Sequence, residues 1–169
     1  MSSGATCDTC DAPPVLARSR TGLLLAGWFR RVGATLVDWL ALIVALLIIN
    51  VFADYFISVA IFAAVVAYYF VHYIATDRGQ TLGCVAAGTQ VRAARSGGRV
   101  SISQSVVRFA GSVAPLLVTM IVIVPLLQYV LWVYLIVDWL FPLWDSQSQT
   151  LHDKWAGTVV VCKTSDRQI

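Results

Sequence analysis

Residues 30–52 read RRVGATLVDWLALIVALLIINVF. After the arginine pair the stretch is apolar from Val32 to Phe52, apart from Asp38 and Asn50. As an α-helix it is roughly 31 Å long, and a bilayer's hydrocarbon core is about 30 Å thick. This segment therefore reads as a membrane-crossing helix. Ala53-Asp54-Tyr55 follows as a very short turn. A second span runs from Phe56 to Ala75 and ends in Tyr68, Tyr69, Phe70 and Tyr73. Aromatic rings of this kind prefer the membrane interface.

The rest of the composition agrees. The chain has 169 residues, 59% hydrophobic and only 12% charged, where soluble domains carry about 25%. That leaves room for one small bundle and none for a soluble catalytic domain. All nine acidic residues are Asp, for which we have no physical account. Four scattered cysteines do not make a disulfide framework. The polar start, Met1 to Thr21, lacks the apolar core of a cleaved signal peptide.

Between the second and third apolar segments lies a polar, basic stretch, Thr76 to Arg108. It holds a turn signal, Ser96-Gly97-Gly98-Arg99, between two short β-leaning runs, Thr89–Arg92 and Val100–Ile102. Ser101-Ile102-Ser103-Gln104 fits a capping box and starts the next helix.

Phe109 to Leu143 has one charge, Asp138. A straight helix over it would be roughly 52 Å long, too long for one crossing. Pro125 lies near its middle, where proline breaks or kinks a helix. The basic residues choose between one kinked helix and a hairpin. All twelve Lys and Arg precede the first span, lie between the second and third segments, or follow the last. An even number of crossings puts all of them in the cytoplasm. The expected fold class is an all-α membrane protein, a small bundle of about four membrane passes with the third apolar segment a hairpin broken near Pro125. Two full spans plus a two-legged hairpin is the variant of that arrangement. Both termini are then cytoplasmic, and the β-leaning runs form a small cytoplasmic element.

Asp38 lies about 9 Å inside the first span. A carboxylate at a helix centre costs about 2.5–3.5 kcal/mol on insertion scales, so it faces protein or water and has a partner. It reads as an ion or proton site, or as a buried pair that docks helices. Arg31 shares its helix face, but helical side chains lean toward the N-terminus, away from Asp38. The expected partner is Arg108, across the helices. Asp138 sits beside Trp139 and Trp144 and reads as an interfacial or helix-pairing residue. His72, among tyrosines, reads as a packed interfacial side chain. Cys7 and Cys10 form half of a zinc-ribbon pattern without the second pair, and so are weak metal candidates. No nucleophile–base spacing, metalloprotease motif or phosphate loop is present, so no enzyme activity and no cofactor is expected. Nothing interleaves aromatics with arginines as a nucleic-acid binder would, and the expected surroundings are the lipid bilayer.

The chain resembles the RDD family of bacterial membrane proteins, named for one arginine and two aspartates. Phe29-Arg30-Arg31-Val32-Gly33-Ala34-Thr35-Leu36-Val37-Asp38 resembles the family's opening, with Arg31 and Asp38 at the signature positions. Gly79-Gln80-Thr81-Leu82-Gly83, Gln90-Val91-Arg92 and Gly97–Ser101 continue the likeness, and Arg108 fits the arginine before the next helix. Thr150-Leu151-His152-Asp153-Lys154-Trp155-Ala156-Gly157 and the following valines resemble the closing motif, with Asp153 the second aspartate. Where members often carry Pro-Gly-Lys, this chain has Leu82-Gly83-Cys84, so any role of that lysine is absent or moved. The resemblance implies a bacterial inner-membrane location and an RDD-like domain over 26–162, between a flexible cytoplasmic tail (1–25) and a C-terminal tail (163–169). It implies no fixed activity; transport, including sodium–proton exchange, has been proposed for some members. Two functions stand as expectations: a transport-related protein, alone or as a homo-oligomer, and an accessory subunit docked on a larger membrane assembly.

Overall fold

The computed structural model describes residues 19–119, 121 and 124–163. The Cys7–Cys10 motif lies outside them. Among the described residues three helices are long and apolar enough to cross a membrane: α1 (Trp28–Phe52), α2 (Tyr55–Ile74) and the run Pro125–Leu143. The last comprises α6 (Pro125–Leu140) and a 3-10 turn (Phe141–Leu143).

The α1–α2 hairpin follows from its turn. The Asp54 carboxylate caps α2 by accepting from the Ile57 N–H at 3.2 Å, satisfying one of the donors a helix start leaves open. The two helices run antiparallel and pack through Leu42, Phe62 and Val66, with Val113 from the next segment.

Two shorter helices precede α6: α4 (Ile102–Ser112) and α5 (Ala114–Thr119). Ser101 and Gln104 form the expected capping box at the start of α4. The Tyr134 hydroxyl donates to the Gly111 carbonyl at 2.6 Å. One straight helix would hold those residues roughly 34 Å apart. The chain therefore reverses between Thr119 and Pro125, and Pro125 stands in the first turn of α6, where its missing N–H costs nothing. The third apolar segment is a hairpin. Its ascending leg is short: Phe109–Thr119 covers only about 16 Å.

The connecting segments gather at one end of the bundle as a cap. There, α3 (Leu82–Ala86), β1 (Thr89–Ala93), α7 (Leu151–Ala156) and β2 (Thr158–Cys162) assemble. β1 and β2 pair antiparallel with Val91 opposite Val160. This pairing places the segment after α2 on the same side as the segment after α6. β2 is buried along its whole length because the chain before α1 covers its other edge, with Leu25 bridging to Val161. Ala26 donates to the Val160 carbonyl at 3.0 Å and Cys162 to the Leu24 carbonyl at 2.8 Å. The flexible tail expected over 1–25 thus does not reach Leu25: residues 23–26 are packed into the cap, held by β2's free edge. Gly157, in the left-handed conformation at φ 63°, turns the chain from α7 into β2.

Candidate functional site

Among the described residues the buried charged side chains fall into three groups where cap meets bundle. The first centres on Asp153, which is fully buried. Thr150 caps α7 and Asp153 completes its capping box, which fixes the carboxylate in place. The Arg31 Nη1 donates to Asp153 Oδ2 at 2.7 Å, and Arg108 pairs with Oδ1. Thr158 Oγ1 adds a donor at 3.1 Å. One buried carboxylate thus serves two buried arginines, tying α1, α4 and α7 together.

The arginines are used differently. Every nitrogen of the Arg31 guanidinium has a protein acceptor: Nε gives to Ala26 O, Nη1 to Asp153 and Nη2 to Val160 O. As its helical geometry predicts, Arg31 leans toward the N-terminus. Among the described residues Arg108 works through Nη1 alone, to Asp153 and Thr158.

The second group centres on Asp38, 4% exposed. The expected Asp38–Arg108 pair does not form. Asp38 accepts from Tyr69 Oη at 2.6 Å, Thr81 Oγ1 at 2.6 Å and the Gly83 N–H at 2.7 Å. Three neutral donors stabilise a buried carboxylate in place of a counter-ion. Arg108 goes instead to Asp153, because α7 folds back against α4 and brings that carboxylate closer. Thr81 also caps α3 through the Cys84 N–H at 3.2 Å, and this short helix delivers Gly83 to Asp38. A Cβ at Gly83 would lie 1.8 Å from the Ala34 carbonyl oxygen, so only glycine fits.

The third group pairs Asp138 with His152. Asp138 is 1% exposed. It takes the His152 backbone N–H at 3.0 Å and the ring Nδ1 at 2.7 Å, docking α6 onto α7. Burial pushes the His152 imidazole down to about 4, helped by the Arg108 cation, while the bond to Asp138 opposes this. His152 is therefore a neutral donor at ordinary pH. His72 stacks on Tyr68 with ring centroids 5.0 Å apart but is otherwise exposed rather than packed inside. Among the described residues no group of three or more His, Cys, Asp or Glu could hold a metal ion.

Beside these groups lies a cavity of about 430 Å³ between α1, α4 and α6. Its polar wall carries Arg31, Asp38, Arg108 and His152. Its apolar walls carry Trp39, Phe109, Leu116, Trp132, Leu135 and Ile136. The cavity exists because α6 packs on α5 rather than along α1. At the cap end Trp28 Nε1 donates to the Trp139 carbonyl at 2.9 Å and bridges the two walls.

Arg31, Asp38, Asp153, Arg108 and Asp138 therefore converge on one zone, though not in the pairing their spacing suggests. Sequence reasoning missed Tyr69, Thr81 and His152 as partners. The signal for Thr81 was its position before a short apolar run, where a helix cap belongs. A family model described as the RDD family matches residues 25–157. No curated protein and no solved structure matches the chain.

Proposed function

This chain belongs to the RDD family, and from that premise we propose that it is a transport-related protein of the bacterial inner membrane, moving a small solute through the cavity between α1, α4 and α6. The cavity carries this reading. It sets Arg31, Asp38, Arg108 and His152 beside aromatic walls, and two of the helices around it, α1 and α6, are apolar enough for a bilayer. A bundle that only anchors has no use for a cavity lined by charge, because burying charge is costly. Asp38 is the sensitive position: it sits deepest along α1, and its donors come from α2 and α3.

In this reading both termini and the cap are cytoplasmic. The cap gathers the basic segments on one side, as the positive-inside rule requires. α1 and α2 cross fully. The α4–α6 hairpin enters from the cytoplasmic side, and its short ascending leg stops before the far face.

The alternative is an accessory subunit docked on a larger assembly. One observation favours it: Arg31, a signature residue, is fully used in holding the fold. Purified protein in proteoliposomes separates the two. Ion-dependent flux that falls in Asp38→Asn supports transport. No flux from the pure protein, together with stoichiometric recovery of larger partners after mild detergent extraction, refutes it.

A further inference from the structure

We infer that the cavity's occupant is a single-chain acidic amphiphile, its carboxylate held by Arg108 and its chain lying along the aromatic wall. The first observation is the unused half of Arg108. Its Nη1 is committed to Asp153 and Thr158, and among the described residues its Nε and Nη2 meet no protein acceptor. The side chain is only 13% exposed. Among the buried side-chain nitrogens and oxygens of the described residues only Ser105 Oγ lacks a partner, so these two Arg108 nitrogens reach open space, and Arg108 lines the cavity. Nε and Nη2 form one edge of the guanidinium, the two-donor fork that fits a carboxylate. Arg31, with all its donors used, marks the contrast between an arginine that holds the fold and one with a free edge.

The second observation is charge. Arg31 and Arg108 share the single carboxylate of Asp153, which leaves that cluster one positive charge in surplus beside the cavity. Asp38 is already filled by Tyr69, Thr81 and Gly83, so it offers little to a cation. The third observation is shape. Beyond Arg108 the walls are apolar side chains of Phe109, Leu116, Trp132 and Ile136. At about 30 Å³ per water-sized group, the volume takes roughly 14 such groups, the size of one chain with a compact head. A charged head at a polar wall and a chain along an apolar one is the layout of most small-molecule sites.

The inference rests on the transport reading for its purpose, but binding and flux are measured apart. The full chain, in zwitterionic phosphatidylcholine nanodiscs, is titrated with a fluorescent medium-chain fatty acid and then with laurate, methyl laurate or phosphatidylglycerol as competitor. Laurate displaces the probe; the uncharged ester competes at least about tenfold more weakly, the loss of one charge-assisted hydrogen bond. Arg108→Gln weakens probe binding about as much. Because Arg108 also holds Asp153, Ile136→Trp serves as a second variant: it fills the cavity from an exposed position and leaves every ion pair intact. It also weakens binding at least about tenfold, while Ile48→Trp, on the lipid-facing side of α1, does not. Equal competition by the ester, unchanged binding in Ile136→Trp, or displacement by phosphatidylglycerol but not laurate overturns the inference. Fatty-acid binding without any flux retains it and removes the transport reading. Ion flux without fatty-acid binding does the reverse.

Discussion

Asp153→Asn is the perturbation that the structure prices most clearly. The wild-type carboxylate takes Arg31 at 2.7 Å and Arg108 on its other oxygen, plus Thr158 Oγ1 at 3.1 Å. Asparagine keeps one acceptor and turns an amide donor toward an arginine donor. Two buried cations then share no anion. Removing one partner of a buried ion pair costs about 3–5 kcal/mol, so Asp153→Asn sits in that range. Arg108→Gln leaves Asp153 neutralised by Arg31 and costs about 1.5–3 kcal/mol, the worth of a charged hydrogen bond. In the double variant Arg108→Gln removes an unpaired cation and adds almost nothing. The coupling energy is therefore about 2 kcal/mol or more, well above the roughly 0.5 kcal/mol of independent sites. The assay is reversible unfolding in mixed detergent micelles, followed by tryptophan fluorescence. The same cycle for Asp38→Asn with Arg108→Gln comes out additive, because Asp38 has other donors. Additivity in the Asp153 cycle would refute the assignment of Asp153 as the anion both arginines share.

Three further outcomes follow from the same geometry. Gly83→Ala drives a Cβ to 1.8 Å from the Ala34 carbonyl oxygen and lowers the melting temperature, by about 1–3 kcal/mol of overpacking; Gly33→Ala, with nothing within 4 Å, leaves it unchanged or raised, and equal behaviour of the two contradicts the close α1–α3 approach. His152, held near 4 against an ordinary 6.5, stays neutral when folded while the unfolded chain takes up a proton. Stability is therefore full above 6.5 and falls as pH drops toward 4, by about 1.4 kcal/mol per pH unit in that window; melting curves from pH 7 to 5 show the fall, and His152→Gln flattens it unless the ring is exposed. Ile121→Cys, at the tip of the hairpin, escapes an impermeable maleimide added outside intact cells that labels Asp54→Cys; equal labelling of both means the hairpin crosses completely.

The sequence made the bundle legible because hydropathy acts locally. Val32–Phe52 and Phe56–Ala75 needed no knowledge of their neighbours, and they emerge as α1 and α2. The break near Pro125 was equally local, since proline cannot sit inside a regular helix. The β-leaning run at Thr89–Arg92 becomes β1, but its partner is β2 and not the nearby Val100–Ile102 run, where Ser101 caps α4 instead; a partner some seventy residues away leaves no local signal. The side-chain partners were another matter. Asp38 and Arg108 are both conspicuous in apolar surroundings, and proximity along facing helices suggested a pair. What decides is α7, a helix of six residues whose amphipathic signal is too short to place it. Its return against α4 brings Asp153 to Arg108 and His152 to Asp138. The hydroxyls of Tyr69 and Thr81 carry no charge to draw attention, yet they complete the Asp38 site.

Flux through the purified protein, compared between wild type and Ile136→Trp in proteoliposomes, tests the functional account most directly. The tryptophan occupies the cavity without touching Asp153, Asp38 or Asp138, and the variant keeps its melting temperature. A cavity that conducts solute predicts that flux is lost in this folded variant. Wild-type flux in Ile136→Trp, with the cavity filled, contradicts it.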